Sequence, residues 1–530
     1  MSTQINKNKP NSLLKSSFVV GGMTFISRIS GFIRDIVFAN IFGASANTDA
    51  FFVAFKIPNF FRRLFAEGAF IQAFVPVLNE FKIKNPLQLK KFLSYVQGNL
   101  LIILIFITVI GIIFSDMIVN IFAPGFSQTE NRHVVASEML QITFPYLLFI
   151  SLTALSAGIF NTFNRFLLPA ITPVVLNISL ITAALYFTQY FTIPIIALAY
   201  GVLAAGVIQY AMQIPLLHKI DLLVMPKINF KFEGVNRVIK LMLPAMLGAA
   251  VIQINLVIDS IVASMLAIGS ISWLYYSDRL VEFPLGIFGI AIATVILPAL
   301  SEKFSKDDIE DYKKTLNNAV NIAIVFSLPA MFGLMVLSEH IISTLFEYGS
   351  FNTNDTIMSS LSLLAYAIGL PAFILMKVLL TGFFSRQDTK TPVRYGIIAV
   401  TFNILMNTLV VLYYFQNPFQ GAHSLLALAT SLSAWIQVIL LYRKLRVLRL
   451  IKENTLISSS SLKSLLSCIL MGAVLFYTLI DISDWSDKIY YMRGTLLVGY
   501  IVFGSIIYVS VMYLFGYNIK KIIYENYKKS

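Results

Sequence analysis

Charge is scarce in this chain: Asp, Glu, Lys and Arg together make up 12% of its 530 residues, about half the share of an ordinary soluble domain. With 57% hydrophobic residues and a mean hydropathy of +0.78, a water-soluble globular fold is excluded. Cysteine is almost absent too. The one thiol, Cys468, has no second cysteine to pair with, which rules out a disulfide framework and a thiolate metal site. His133, His218, His340 and His423 are scattered and lack metal-ligand spacing. No Ser, Cys or Thr nucleophile stands beside a His base, and no glycine-rich phosphate loop follows a strand, so the familiar signatures of an enzyme are missing.

What is present is length and apolar runs. A helix needs about 20 apolar residues to cross a bilayer, and hydropathy predicts fourteen spans, near 17–41, 50–79, 92–115, 133–160, 168–189, 193–217, 238–267, 272–300, 315–337, 357–384, 393–415, 422–442, 462–481 and 492–515. Lys7, Lys9 and Lys15 precede the first as in a signal peptide. Arg28 and Arg34 interrupt that run and no small-residue cleavage site follows, so it reads as a retained span.

The net charge of +14 would suggest nucleic acid in a soluble protein, but its placement reports topology instead. With the N-terminus in the cytoplasm, alternate loops collect thirty of the forty Lys and Arg residues, as the positive-inside rule requires. Only Arg132, Lys488 and Arg493 fall on the other side. Both termini are therefore expected in the cytoplasm, and no nucleic-acid partner is needed.

The chain also echoes itself. Val75-Pro76-Val77-Leu78-Asn79-Glu80, followed by Lys90-Lys91, returns as Leu297-Pro298-Ala299-Leu300-Ser301-Glu302, followed by Lys313-Lys314, and Pro145 is matched by Pro371. Each echo lies six spans downstream of its first occurrence, in the same orientation. The expected fold is an all-α polytopic membrane protein: a six-helix lobe over 1–220, a second over 221–450, related by a pseudo-two-fold axis along the membrane normal, and two additional helices with a cytoplasmic tail over 451–530.

Seven basic residues, Arg28, Arg34, Lys56, Arg62, Arg63, Arg279 and Lys377, fall inside predicted spans. The first six, with Asp35, Glu67, Asp278 and Glu282, would together cost roughly 25 to 35 kcal/mol if they faced lipid. They must face each other or water. Arg63 with Glu67 and Arg279 with Glu282 have helical pairing distances; Arg28 and Asp35 share a face two turns apart; Arg34, Arg62 and Lys56 have no obvious partner on their own helix. Interhelical salt bridges and snorkelling side chains are one reading. A cationic cavity for an anion is the other, and the preference for arginine points to phosphate or carboxylate, whose paired oxygens fit a planar guanidinium.

Other groups carry less. Asp307-Asp308-Ile309-Glu310-Asp311 resembles a magnesium-pyrophosphate pattern but stands among Lys303, Lys306, Lys313 and Lys314, as a solvated linker does. Asp259 is a candidate ligand for a coupling monovalent cation, with Asn255 or Asp388, or else a buried hydrogen-bonded carboxyl.

Several strings are similar to those of a known family: Ser27-Arg28-Ile29-Ser30-Gly31-Phe32-Ile33-Arg34-Asp35, Thr48-Asp49-Ala50-Phe51-Phe52-Val53-Ala54-Phe55-Lys56-Ile57-Pro58-Asn59, Arg62-Arg63-Leu64-Phe65-Ala66-Glu67-Gly68, and Tyr275-Tyr276-Ser277-Asp278-Arg279-Leu280-Val281-Glu282-Phe283-Pro284. Asn161-Thr162-Phe163-Asn164-Arg165 and Ser385-Arg386-Gln387-Asp388-Thr389-Lys390-Thr391-Pro392 fit as well. Over nearly its whole length the chain resembles the MviN/MurJ lipid II flippase family. The resemblance implies the fold of the multidrug/oligosaccharidyl-lipid/polysaccharide exporter superfamily, the bacterial inner membrane, and transport of lipid II from the cytoplasmic to the periplasmic leaflet for peptidoglycan synthesis. It places the substrate-binding residues on Arg28, Arg34, Asp49, Arg62, Arg279 and Glu282. It also implies coupling to a monovalent cation in some members, in which Asp259 could take part; no cofactor is expected, the charge of an emptied cationic cavity makes membrane potential a second candidate drive, and cell-wall synthesis proteins are candidate partners.

Two alternatives stand beside this. Within the superfamily, the chain could export another lipid-linked oligosaccharide or be a cation-coupled drug exporter, although cationic drugs call for an acidic cavity. From another class, a membrane enzyme acting on polyprenyl phosphates would need a catalytic dyad, which the sequence lacks.

Overall fold

The computed structural model describes residues 10–64, 70–128, 130–480 and 485–517. Glu67 and the terminal lysines Lys7, Lys9, Lys520, Lys521, Lys528 and Lys529, which entered the sequence reading, lie outside the described residues. Among those described, helices follow one another with no strand, the arrangement that lets each segment satisfy its own backbone in lipid. Contacts gather the chain into two units, Met1–Met265 and Leu266–Ser530.

The first unit contains α1 (Pro10–Phe42), α2 (Ala46–Phe61), α3 (Ile71–Lys84), α4 (Leu89–Ile113), α5 (Ser115–Phe122), α6 (Glu130–Thr143), α7 (Tyr146–Thr162), α8 (Leu167–Thr182), α9 (Ile196–Ala211), α10 (Ile214–Lys219) and α11 (Glu233–Ser264). α1 packs on α8, α2 on α6, and α7 on α9. Phe81 and Phe92 stack between α3 and α4 with ring centroids 4.4 Å apart, and Phe232 closes on Phe81 at 5.9 Å. The linker before α11 is laid along α4. The Lys227 amide donates to the Ser94 carbonyl at 3.0 Å, and Asn99 and Asn229 exchange two hydrogen bonds, at 2.9 and 3.0 Å. Gly98 makes this possible, because a Cβ there would stand 2.2 Å from the Lys227 carbonyl oxygen.

The second unit contains α12 (Ser270–Pro284), α13 (Ala291–Ser305), α14 (Ile309–Val336), α15 (Ser338–Phe346), α16 (Thr353–Phe384), α17 (Lys390–Gln416), α18 (Ala422–Val447), α19 (Ser459–Ile480) and α20 (Tyr490–Leu514). α16 is its centre, packed against α12, α14 and α18. It begins with a capping box in which Asn352 and Asp355 satisfy each other's backbone amides. α19 and α20 close on α14 through Val325, Cys468, Met471, Leu475 and Met512, and the Tyr508 hydroxyl donates to the Val325 carbonyl at 2.8 Å. Arg493 enters the reading as a residue of an outer loop; it is buried at the start of α20 and donates to the carbonyls of Lys488, at 2.8 Å, and Ser343, at 3.3 Å.

Eleven of the described helical stretches are long and apolar enough to cross a membrane. They match every predicted span except 17–41, 50–79 and 238–267, so length and hydropathy do not by themselves carry the count to fourteen. Among the described residues of the second span, α2 ends at Phe61, a wide π-helical turn occupies 62–64, and α3 starts at Ile71. The same device follows Pro284, where residues Leu285–Ile290 form a π-helical turn. Pro58 and Pro284 stand at corresponding places in the two halves of the sequence echo, and each lacks the N–H that would close an ordinary turn.

Three pairs of left-handed residues fall at similar spacings: Gly43 corresponds to Gly269, Asn164 to Gln387 and Asp221 to Arg449. Contact grouping places α11 with the first unit, whereas the sequence echo counts the span at 238–267 into the second lobe; one criterion follows packing and the other follows sequence pattern. Asp308 accepts from the Asp311 amide at 3.1 Å as the N-cap of α14, and Asp311 pairs with Lys303 at 2.6 Å, so the acidic string caps a helix.

Candidate functional site

In the first unit the sequence-predicted residues sit on α1 and α2. Arg28 is exposed on α1. Arg34, two turns on, is buried. Its Nε and Nη2 both donate to Asp35 Oδ1, at 3.0 and 2.7 Å, and its Nη1 donates to Asn177 Oδ1 on α8 at 3.0 Å. This corrects the reading that Arg34 has no partner on its own helix. Adjacent helical positions point in different directions, yet the long arginine stem curls back onto its neighbour's carboxylate. Asn177 is the hub of the arrangement, since its Nδ2 also donates to the Ser27 carbonyl at 3.1 Å and to Ser30 Oγ at 2.9 Å.

Arg62, in the π-helical turn after α2, donates from Nε to Asn59 Oδ1 at 3.0 Å, so it too has a same-helix partner, a neutral one. Lys56 Nζ donates to Ser260 Oγ on α11. Asp49 is buried in the first turn of α2, and its carboxylate faces Arg132 Nη1 at 3.9 Å. Arg132 enters the reading as an outer-loop residue; it is buried on α6. Asp259 is half-buried on α11.

In the second unit Arg279 and Glu282 meet as their spacing predicts, Nη1 to Oε2 at 2.8 Å. The guanidinium also lies 5.0 Å from the Tyr275 ring. With side chains 35% and 50% exposed, this pair is open to an incoming group. Asp388 is committed elsewhere: its two carboxylate oxygens accept from the Thr391 amide at 3.0 Å and hydroxyl at 2.7 Å at the start of α17. Burial opposes its charge, and these bonds from Thr391 hold its pKa below the ordinary value of 3.8. An apolar cavity of about 230 Å³ opens among Leu328, Pro371, Leu375, Trp435, Ile457 and Leu465, where α14, α16 and α18 meet the approach to α19.

Sequence reasoning missed Asn177, Asn59 and Arg132. A lone amide within an apolar run was the only available signal for Asn177, and nothing in the sequence links it to Arg34 across 143 residues.

These guanidinium pairs stand in strings that a known family shares. The profile of the Lipid II flippase MurJ family matches residues 38–495. A probable lipid II flippase MurJ of Vibrio cholerae serotype O1 is 42% identical over 518 residues, covering 96% of this chain and 97% of the relative. The chain belongs to the MurJ lipid II flippase family. The family is one of transporters, not enzymes. A solved structure of a lipid II flippase MurJ in an inward closed conformation superimposes with a TM-score of 0.79 at 31% identity, covering 94% of this chain and 98% of that one. The fold extends to an inward-facing multidrug resistance MATE transporter of the MOP superfamily, with a TM-score of 0.62 at 13% identity over 82% of this chain and 98% of that one.

Proposed function

We propose that this chain is a lipid II flippase of the bacterial inner membrane, moving the undecaprenyl-pyrophosphate-linked peptidoglycan precursor from the cytoplasmic to the periplasmic leaflet by alternating access. The observation that carries the reading is the likeness, over 96% of the chain, to a relative named as a probable lipid II flippase. Both termini face the cytoplasm, in keeping with the basic loops.

Arg28, Arg34 and Arg62 in the first unit are assigned to the pyrophosphate, and Arg279 in the second is likewise a substrate-binding candidate. Asp35 with Asn177 and Glu282 with Tyr275 hold Arg34 and Arg279 in place. A diphosphate offers a guanidinium more charge and more acceptor oxygens than one carboxylate does, so it can displace these contacts. The sugar and peptide remain in water. The apolar cavity beside Trp435 and Ile457 gives the polyprenyl tail a place within the second unit. A monovalent cation at Asp259 or the membrane potential supplies the drive, and cell-wall synthesis proteins consume the product.

Native mass spectrometry of the purified protein with lipid II, beside vesicle flipping of a fluorescent lipid II, tests the proposal. A lipid II adduct and protected transfer to the far leaflet are expected. Preferential capture of a different lipid-linked diphosphate, or a chemically altered lipid II, would overturn it.

A further inference from the structure

We propose that Asp49 is a positioning residue that acts through Arg132 and does not touch the transported lipid; this rests on the flippase reading above. Asp49 is 1% exposed and leaves no surface for a ligand atom. Its charge has the same sign as a diphosphate. What it faces is Arg132, itself 4% exposed, and a cation this buried is retained only with a counter-charge at hand.

From Arg132 the contacts run on to the end of α11. The guanidinium lies over the Phe126 ring, 4.8 Å from its centroid. Gly125, next in the chain, donates its N–H to Ser264 Oγ at 3.2 Å. The two backbones touch there, since a Cβ on Gly125 would stand 2.1 Å from the Ser264 carbonyl oxygen and 2.6 Å from the Met265 Cα. A second tie runs from Lys56, two turns along α2, directly to Ser260. Lys56 thus holds α11 directly, and Asp49 reaches its last turn through Arg132, Phe126 and Gly125. Met265 is the final residue of the first unit, where the chain passes into the second. Holding that segment governs turnover and not affinity.

The test compares Asp49→Asn, Asp49→Arg, Arg132→Asp and the exchanged pair Asp49→Arg with Arg132→Asp, each reconstituted as the full chain. Lipid II binding is read by native mass spectrometry and transfer by vesicle flipping. Asp49→Asn is expected to bind lipid II within about twofold of wild type while flipping about tenfold slower, the signature of a lost positioning contact. Each single reversal should be inactive, and the exchanged pair should recover most of the transfer. The proposal is overturned if Asp49→Asn loses binding as severely as Arg279→Glu does, or if the exchanged pair is folded and still inactive. Should the pair fail to fold, the affinity and turnover of Asp49→Asn decide alone. Wild type that neither binds nor flips lipid II would sink the flippase reading itself, a separate result.

Discussion

A guanidinium is useful to a carrier only if it can be both held and released, and the arginines here differ in how they are held. Arg34 is buried, with its three donor nitrogens engaged by Asp35 and Asn177. Arg279 is half-open beside Glu282. Asn177→Ala removes the acceptor for Arg34 Nη1 and leaves a buried donor unmatched, at a cost of about 1 to 3 kcal/mol; a lower midpoint of thermal unfolding in detergent is the expected reading. Arg279→Glu should abolish transfer in vesicles while the folded protein is recovered in normal yield, and full complementation of a depleted strain by this variant would refute its assigned role. Arg62→Lys should be milder, because it keeps the charge and loses the fork. The cost of charge in lipid singles these arginines out in the sequence. Their partners are not legible there: Asn177 and Arg132 are joined to Arg34 and Asp49 only by folding, across 143 residues in the first case.

At the level of elements, the linker pressed onto α4 and the wide turn that follows α2 show where local sequence rules give way to tertiary contact. Helix existence followed from apolar runs, whereas the acidic string at 307–311, which reads as a solvated linker, supplies the N-cap of α14. The wide turn at 62–64 did not follow from the sequence, because a proline in a membrane helix is common and only the surroundings decide whether it kinks or opens the turn. Gly98→Ala would drive a Cβ into the Lys227 carbonyl, so the linker should lift from α4; faster proteolysis between Leu222 and Phe232 measures it. Near the start of α11, Arg237 Nη2 donates to Glu80 Oε2 at 2.7 Å. The hydrogen bond from Arg237, then that from Lys84, holds the Glu80 carboxyl below its ordinary 4.5. A depressed acid contributes stability that is complete above its ordinary pKa and is lost as the pH falls through the folded value. The difference in thermal midpoint between wild type and Glu80→Gln should therefore shrink below about pH 4.5, and a difference that grows on acidification would contradict the pairing.

For the molecule as a whole, fold class and family were readable because both rest on long stretches: mean hydropathy for the first, strings of mixed polar and apolar residues for the second. The near-constant period of the left-handed turns, Gly43 with Gly269 and Asn164 with Gln387, supports the echo seen in the sequence with an independent, backbone-level observation. A carrier with a cationic substrate site moves charge when it returns empty, and each charge crossing the field is worth roughly 2.3 kcal/mol per 100 mV. An inside-negative potential should accelerate transfer in vesicles, and turnover that stays the same with the potential clamped at zero would remove that coupling.

Cys468 is fully buried in the seam of α14, α19 and α20, and it is the chain's only thiol. Wild-type protein should consequently stay dark to maleimide dyes. A reporter cysteine engineered anywhere on the exterior would then carry label at one known address, which gives fluorescence or spin-probe studies of this transporter a clean background without first stripping out native sulfhydryls.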